Sequence, residues 1–158
     1  MKNTLVMFLM GLIVGVGLTI LAIVVIVPKQ MFIVKESLLG FDQTIVAIEK
    51  SAADNQWGVP FKYDLQATLK GKGFEVQPVN VISLCKPAFA NEVLSDNNER
   101  LVSALMPCRV AVYEKDGKTY VSMLNAALFA KFLNKKSKRV MSQASAENEK
   151  ILAPLIKN

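Results

Sequence analysis

The sequence contains no histidine. Without an imidazole there is no Ser-His-Asp or Cys-His arrangement, no His-ligated zinc and no haem attachment through CxxCH, so a conventional hydrolase is not expected. Cysteine is scarce too, with Cys85 and Cys108 the two in the chain. The run "LKGKGFEV" places Gly71 and Gly73 two apart but lacks the third glycine and the following helix of a nucleotide fingerprint. A strand pattern follows instead, which makes this a turn. Glu92 and Asp96 share a helix face rather than facing each other across a cleft, so they solvate a surface and do not form a glycosidase pair. Aromatic residues are sparse around "KFLNKKSKR", where Lys131, Lys135, Lys136, Lys138 and Arg139 cluster; apart from Phe129 and Phe132 none is interleaved, and no nucleic-acid partner is expected. That run suits anionic lipid heads, an acidic partner or a solvated helix end whose dipole favours cations.

Charge is missing where apolar residues concentrate. Residues 4–27 carry none, between Lys2 and Lys29, and at about 1.5 Å per residue they reach roughly 36 Å, enough for a bilayer core of about 30 Å. A cleaved signal peptide has a shorter apolar core and a small-x-small cleavage site, and "LTILAIVVIVPKQMF" ends with neither. Residues 1–28 are therefore expected to be a single transmembrane anchor in a lipid bilayer. The flanking charges, Lys2 against Lys29 and Lys35, are nearly balanced. The very short charged tail before the span favours an N-in anchor in the inner (cytoplasmic) membrane, with the soluble domain outside the cytoplasm, in the periplasm. Gly11 and Gly15 fall on one face of the span, either as a close-packing surface for a second helix or as ordinary membrane glycines.

The remainder of the 158 residues is the size of one domain. "MFIVKES" reads as a strand, and residues 40–55 as a helix with Phe41, Ile45, Ile48 and Ala52 at helical spacing and Asp42 in the first turn. "WGVPFKYDL" reads as a second strand, and residues 75–84 as a third. Residues 88–105 are expected to be helical in two pieces, with Asp96 and Glu99 marking the start of the second. Asp116-Gly117 is a hairpin signal between two alternating runs. A helix over residues 126–133 completes the pattern, and residues 135–158 read as a basic and polar C-terminal tail with a weak helix near 143–156. The order β-α-β-β-α-β-β-α implies an α+β domain over residues 29–134, a mostly antiparallel sheet with helices on one face.

The runs "FDQTIVAIEKSAADNQW", "LKGKGFEV", "LCKPAFANEVL" and "LMPCRVAVYEKDGKTYVSMLN" resemble the domain of unknown function 302 family over residues 31–133. Thr44 falls on that family's early threonine, Gly73-Phe74 on its Gly-Phe step, Pro87 on its strand-ending proline and Met106-Pro107 on its Leu-Pro hairpin entry. The resemblance implies a TATA-binding-protein-like α+β fold and a tendency to dimerise, and implies no reaction. Cys85 and Cys108 stand where many members carry a glycine and an aliphatic residue, and Lys86 where asparagine is frequent.

The cysteines end one strand and begin another, and they meet if those strands are antiparallel neighbours. Side-chain alternation does not settle the matter: Cys108 shares a side with Val110 and Val112, and Cys85 with Val79, Val81 and Ser83. A structural disulfide would close a loop of about 24 residues and contribute roughly 3 kcal/mol. The alternatives are a redox-active pair helped by Lys86 and Arg109, a soft-metal site for Cu(I) with Met106 or Met123, or two buried free thiols. The sequence thus points to a membrane-anchored binding or interaction module, accessory to a membrane or respiratory complex, with a homodimer or another membrane protein as partner and no cofactor. The competing class is a thiol-redox or soft-metal-handling protein working through Cys85 and Cys108. An enzyme is the less expected outcome.

Overall fold

The structure, a computed structural model, describes residues 2–157. The chain forms two compact units, residues 1–32 and residues 33–158. The first is helix α1, Lys2–Gln30, with Lys29 in its last turn. Its stretch Val6–Gln30 is long and apolar enough to cross a membrane. Large apolar side chains such as Leu12, Ile13, Ile20 and Val24 are exposed around it. The space where side chains would stand at Gly11 and Gly15 is open.

The second unit is an α+β domain. Its five strands are β1 (Phe32–Glu36), β2 (Gly58–Asp64), β3 (Val79–Cys85), β4 (Cys108–Lys115) and β5 (Lys118–Leu124). They form one sheet in the order β1-β5-β4-β3-β2, with antiparallel pairing of β2 to β3, β3 to β4 and β4 to β5. Between strands run α2 (Phe41–Asp54), α3 (Leu65–Lys70), α4 (Pro87–Leu94), a 3-10 helix (Arg100–Leu105), α5 (Ala126–Ala130) and α6 (Lys135–Leu152).

Alternation sorts the strand residues onto two faces. Ile82 and Leu84 of β3, Val110 and Val112 of β4, and Val121 and Met123 of β5 meet Ile45, Ile48 and Ala52 of α2 and Ala144, Ile151 and Leu152 of α6 in the main core. A second cluster joins Val93 of α4, Val102, Ala126 and Ala130 of α5, and Val140 and Met141 of α6. The opposite face belongs to neither cluster, and on it Phe61 is 62% and Tyr63 40% exposed. Arg109 lies over the Tyr63 ring at 5.9 Å, and Tyr113 stacks on Tyr120 at 5.7 Å.

Local chemistry sets the boundaries. Thr44, wholly buried, donates to the Gly40 carbonyl at 2.8 Å and shares a 2.7 Å hydrogen bond with Ser37, tying the first turn of α2 to the end of β1. Gln56 takes φ 62° and the Trp57 amide donates to the Ala52 carbonyl at 2.9 Å, which closes α2 and delivers Trp57 to the core. Asp116 and Gly117 both have positive φ, 53° and 72°, the twist-compatible hairpin geometry expected of that dipeptide.

The main correction concerns residues 135–158, expected as a tail outside the domain. They hold α6, eighteen residues long, with Val140, Met141, Ala144, Ile151 and Leu152 buried. The Ser51 hydroxyl donates to the Ile151 carbonyl at 2.8 Å, and beyond the helix Ile156 bridges to Ser37. Two smaller differences are local. Strand β3 begins at Val79 rather than at Glu75, with the Pro78 carbonyl accepting from the Glu114 amide at 3.0 Å. The short helix α3 follows β2 because the Asp64 side chain caps it at the Ala67 amide.

Candidate functional site

One end of the sheet gathers most of the residues singled out in the sequence. There β3 runs into Lys86 and Pro87, which open α4, with Pro87 in its first turn. The Met106–Pro107 peptide, which is cis, leads into β4. Leu84 pairs with Cys108 and Ser83 with Arg109. The strands carrying the cysteines are therefore antiparallel neighbours, and the two thiols come to the same end of the sheet.

They are not joined. Both cysteines are free and half-buried. Cys108 stands opposite Leu84, so Cys85 lies one step out of register with it, and adjacent positions leave a sheet from alternate faces. Cys108 packs against the main core, while Cys85 follows the period of Val81 and Ser83. This register does not favour the expected disulfide. Burial pushes the Cys108 thiol up; a hydrogen bond with the Asn148 side chain acts in the opposite sense, and the neighbouring Cys85 adds to the rise. A thiol held neutral is a poor nucleophile.

The charged part of this end is a clasp between α6 and the start of α4. Glu147 Oε2 accepts from Trp57 Nε1 at 2.7 Å and from Lys86 Nζ at 2.6 Å. Lys86 also lies over the Phe89 ring at 5.2 Å, and Trp57 meets Phe89 edge to face at 5.9 Å. Burial pushes the Glu147 carboxyl up, but the hydrogen bonds from Lys86 and Trp57, with the charges of Lys86 and Lys150, outweigh it and hold the carboxyl below its ordinary range. Lys86 is thus committed to Glu147 rather than to either thiol. Arg109 points to the open face, over Tyr63.

Buried polar atoms remain here without partners. Among the described residues, Asn148 Oδ1 and Ser83 Oγ are buried and accept no hydrogen bond from another residue. Of the methionines in the soft-metal set, Met106 packs on the second cluster and Met123 lies in the main core that Cys108 borders. Among the described residues no three His, Cys, Asp or Glu side chains group as a metal site. Gly11 and Gly15 lie in α1, in the other unit.

Sequence reasoning missed Trp57, Glu147 and Asn148. The single tryptophan was a usable signal, since a tryptophan buries a large apolar area and its N–H finds a partner when buried. Glu147 and Asn148 sit in a stretch whose polarity concealed a buried helix.

An apolar helix fit to span a membrane and a five-stranded α+β domain define the class of protein. The family model for the domain of unknown function DUF302 matches residues 33–155, and the chain belongs to that family. The match extends past residue 134 and takes in α6. Among solved structures, the chain is similar to the crystal structure of an uncharacterized conserved DUF302 protein from Bacillus stearothermophilus, with a TM-score of 0.71 and 22% identity, over 78% of this chain and 96% of that one. At that identity the likeness shows the fold alone. No curated protein matches the chain.

Proposed function

We propose that this chain is a single-pass membrane-anchored interaction module, with its domain outside the cytoplasm, that holds a protein partner on the open face of its sheet. The observation that carries this reading is the exposed side-chain set on that face: Phe61, Tyr63 and Val34 stand in solvent beside Arg109 and the stacked Tyr113 and Tyr120. Aromatic residues and arginine are the types enriched where protein interfaces form. The partner is a protein of the same membrane, either a second copy or a component of a membrane or respiratory complex to which this chain is accessory.

The thiol-redox and soft-metal reading has less support. Cys108 is pushed toward its neutral form, and Lys86 is engaged by Glu147.

The test is a photo-crosslinking residue placed at Phe61, or as a control at Val46 on the exposed side of α2, in the full chain expressed in native membranes. The expected result is adducts from position 61 and none from 46, their mass separating a dimer from a different partner. Equal yields at the two positions, or none at 61, would remove the reading.

A further inference from the structure

Lys131 closes helix α5, but the rest of the cationic run opens α6, the wrong end of a helix for the dipole to explain it. Lys135, Lys136, Lys138 and Arg139 occupy the first turns of α6, where no acidic residue is present, and cations near a helix N-terminus are unfavourable. Neighbouring elements answer only part of this charge. Asp96 pairs with Lys136 at 3.3 Å, Glu92 with Arg139, and the Glu99 carboxylate accepts from Ser137. Lys131, Lys135 and Lys138 are exposed and have no ion pair among the described residues. Five cations therefore face three carboxylates.

In the turn between α5 and α6, inside this cationic setting, stands Phe132, 84% exposed, more than any other large apolar side chain of the described residues. Leu101, 73% exposed, lies on the 3-10 helix whose preceding Glu99 touches the first turn of α6. An apolar side chain set among lysines is the pattern of a surface that enters the headgroup region of a negatively charged bilayer.

The topology places this surface at the end of the domain through which the chain arrives from α1. The end of β1 meets the start of β5, through the Ser37 amide to the Thr119 carbonyl at 2.8 Å. The start of β1 therefore lies by the end of β5, which leads directly into α5 and Phe132. Helix α6 agrees: its far end approaches Ser37 through Ile156, so its cationic start lies at the β1 entry.

From this placement we infer that Phe132, with Lys131, Lys135 and Lys138, docks the domain on an anionic phospholipid surface of the membrane in which the chain is anchored. The inference rests on the anchor proposed above. Tethering makes docking intramolecular in effect, so a weak surface suffices. Each lysine near an anionic surface changes the docked-to-free ratio roughly fivefold.

The test uses the full chain in liposomes of phosphatidylcholine alone or mixed with phosphatidylglycerol, carrying lipids brominated near the headgroup. A Phe132→Trp variant reports contact by quenching, with Trp57 of the unsubstituted chain as background. The expected result is quenching at position 132 in anionic vesicles, little in phosphatidylcholine, and loss on adding Lys131→Gln, Lys135→Gln and Lys138→Gln together. Flotation after an alkaline wash reports the anchor separately. A chain that fails to float overturns the anchor and, with it, this proposal. A floating chain with no quenching at position 132, or with equal quenching in the two lipids, overturns the docking alone. So does shielding seen in native membranes but not in anionic liposomes, which would assign the surface to an acidic protein.

Discussion

Replacing Ile151 by alanine tests whether α6 belongs to the core. The side chain is wholly buried among α2 and sheet residues of the main core, and its carbonyl accepts from Ser51 of α2. The substitution removes three carbons at about 0.8 kcal/mol each, and the unrelaxed cavity adds about 24 cal/mol per Å³, for a loss of roughly 2.5–4.5 kcal/mol. Domains of this kind are stable by about 5–15 kcal/mol, so the change consumes much of the margin. Urea unfolding of the full chain in micelles reads it through Trp57, the single tryptophan, which sits in the same core and is bonded to α6 through Glu147. The urea midpoint should fall by about 1–3 M. Lys150→Ala, on the exposed neighbour, should stay within about 0.5 kcal/mol of the unsubstituted chain. A loss at Ile151 no larger than that at Lys150 would refute the packing argument and return residues 135–158 to the status of a tail.

Three further outcomes follow from the site. Glu147 is held below its ordinary range in the folded chain, so the stability it contributes is present above the unfolded value near ~4.3 and is lost as pH falls through the folded value; Glu147→Gln should be less stable than the unsubstituted chain at neutral pH, with the gap closing in acid denaturation curves. Mass spectrometry after denaturing alkylation without reductant should show both Cys85 and Cys108 modified, and in the native state Cys108 should react slowly with iodoacetamide and faster as pH rises; a chain that takes up no label without reductant would mean a disulfide. Thr44→Val keeps the shape but leaves the Ser37 hydroxyl without its 2.7 Å partner, and thermal unfolding should show a loss of about 1–3 kcal/mol.

How far the sequence could be read depended on how plainly each residue advertised its surroundings. Helix α2 was legible because Phe41, Ile45, Ile48 and Ala52 form an apolar stripe, and the β4–β5 hairpin because Asp116-Gly117 admits few other conformations. Helix α6 was not, since its inward stripe is written partly in Ser137, Ser145 and Asn148, all buried, and polar letters at core positions defeat a hydrophobic period. The same stretch misled on charge: Lys135 to Arg139 looked like a helix end and is a helix start. That Cys85 ends one strand and Cys108 begins another was legible, but whether those strands are neighbours, and which face each thiol takes, is set by the pairing of Leu84 with Cys108. The clasp of Trp57, Lys86 and Glu147 joins residues as much as 90 positions apart, a distance over which local pattern carries no signal.

The closure of β1 and α2 by the last elements has a consequence for biogenesis. Ser51 waits for Ile151, 100 residues later, and Glu36 for the Lys157 amide, which donates to its carbonyl at 2.9 Å. The core cannot be completed on a growing chain until α6 has left the ribosome, long after the apolar helix has emerged. The domain therefore acquires its native packing late in synthesis, on a polypeptide whose apolar helix has already emerged.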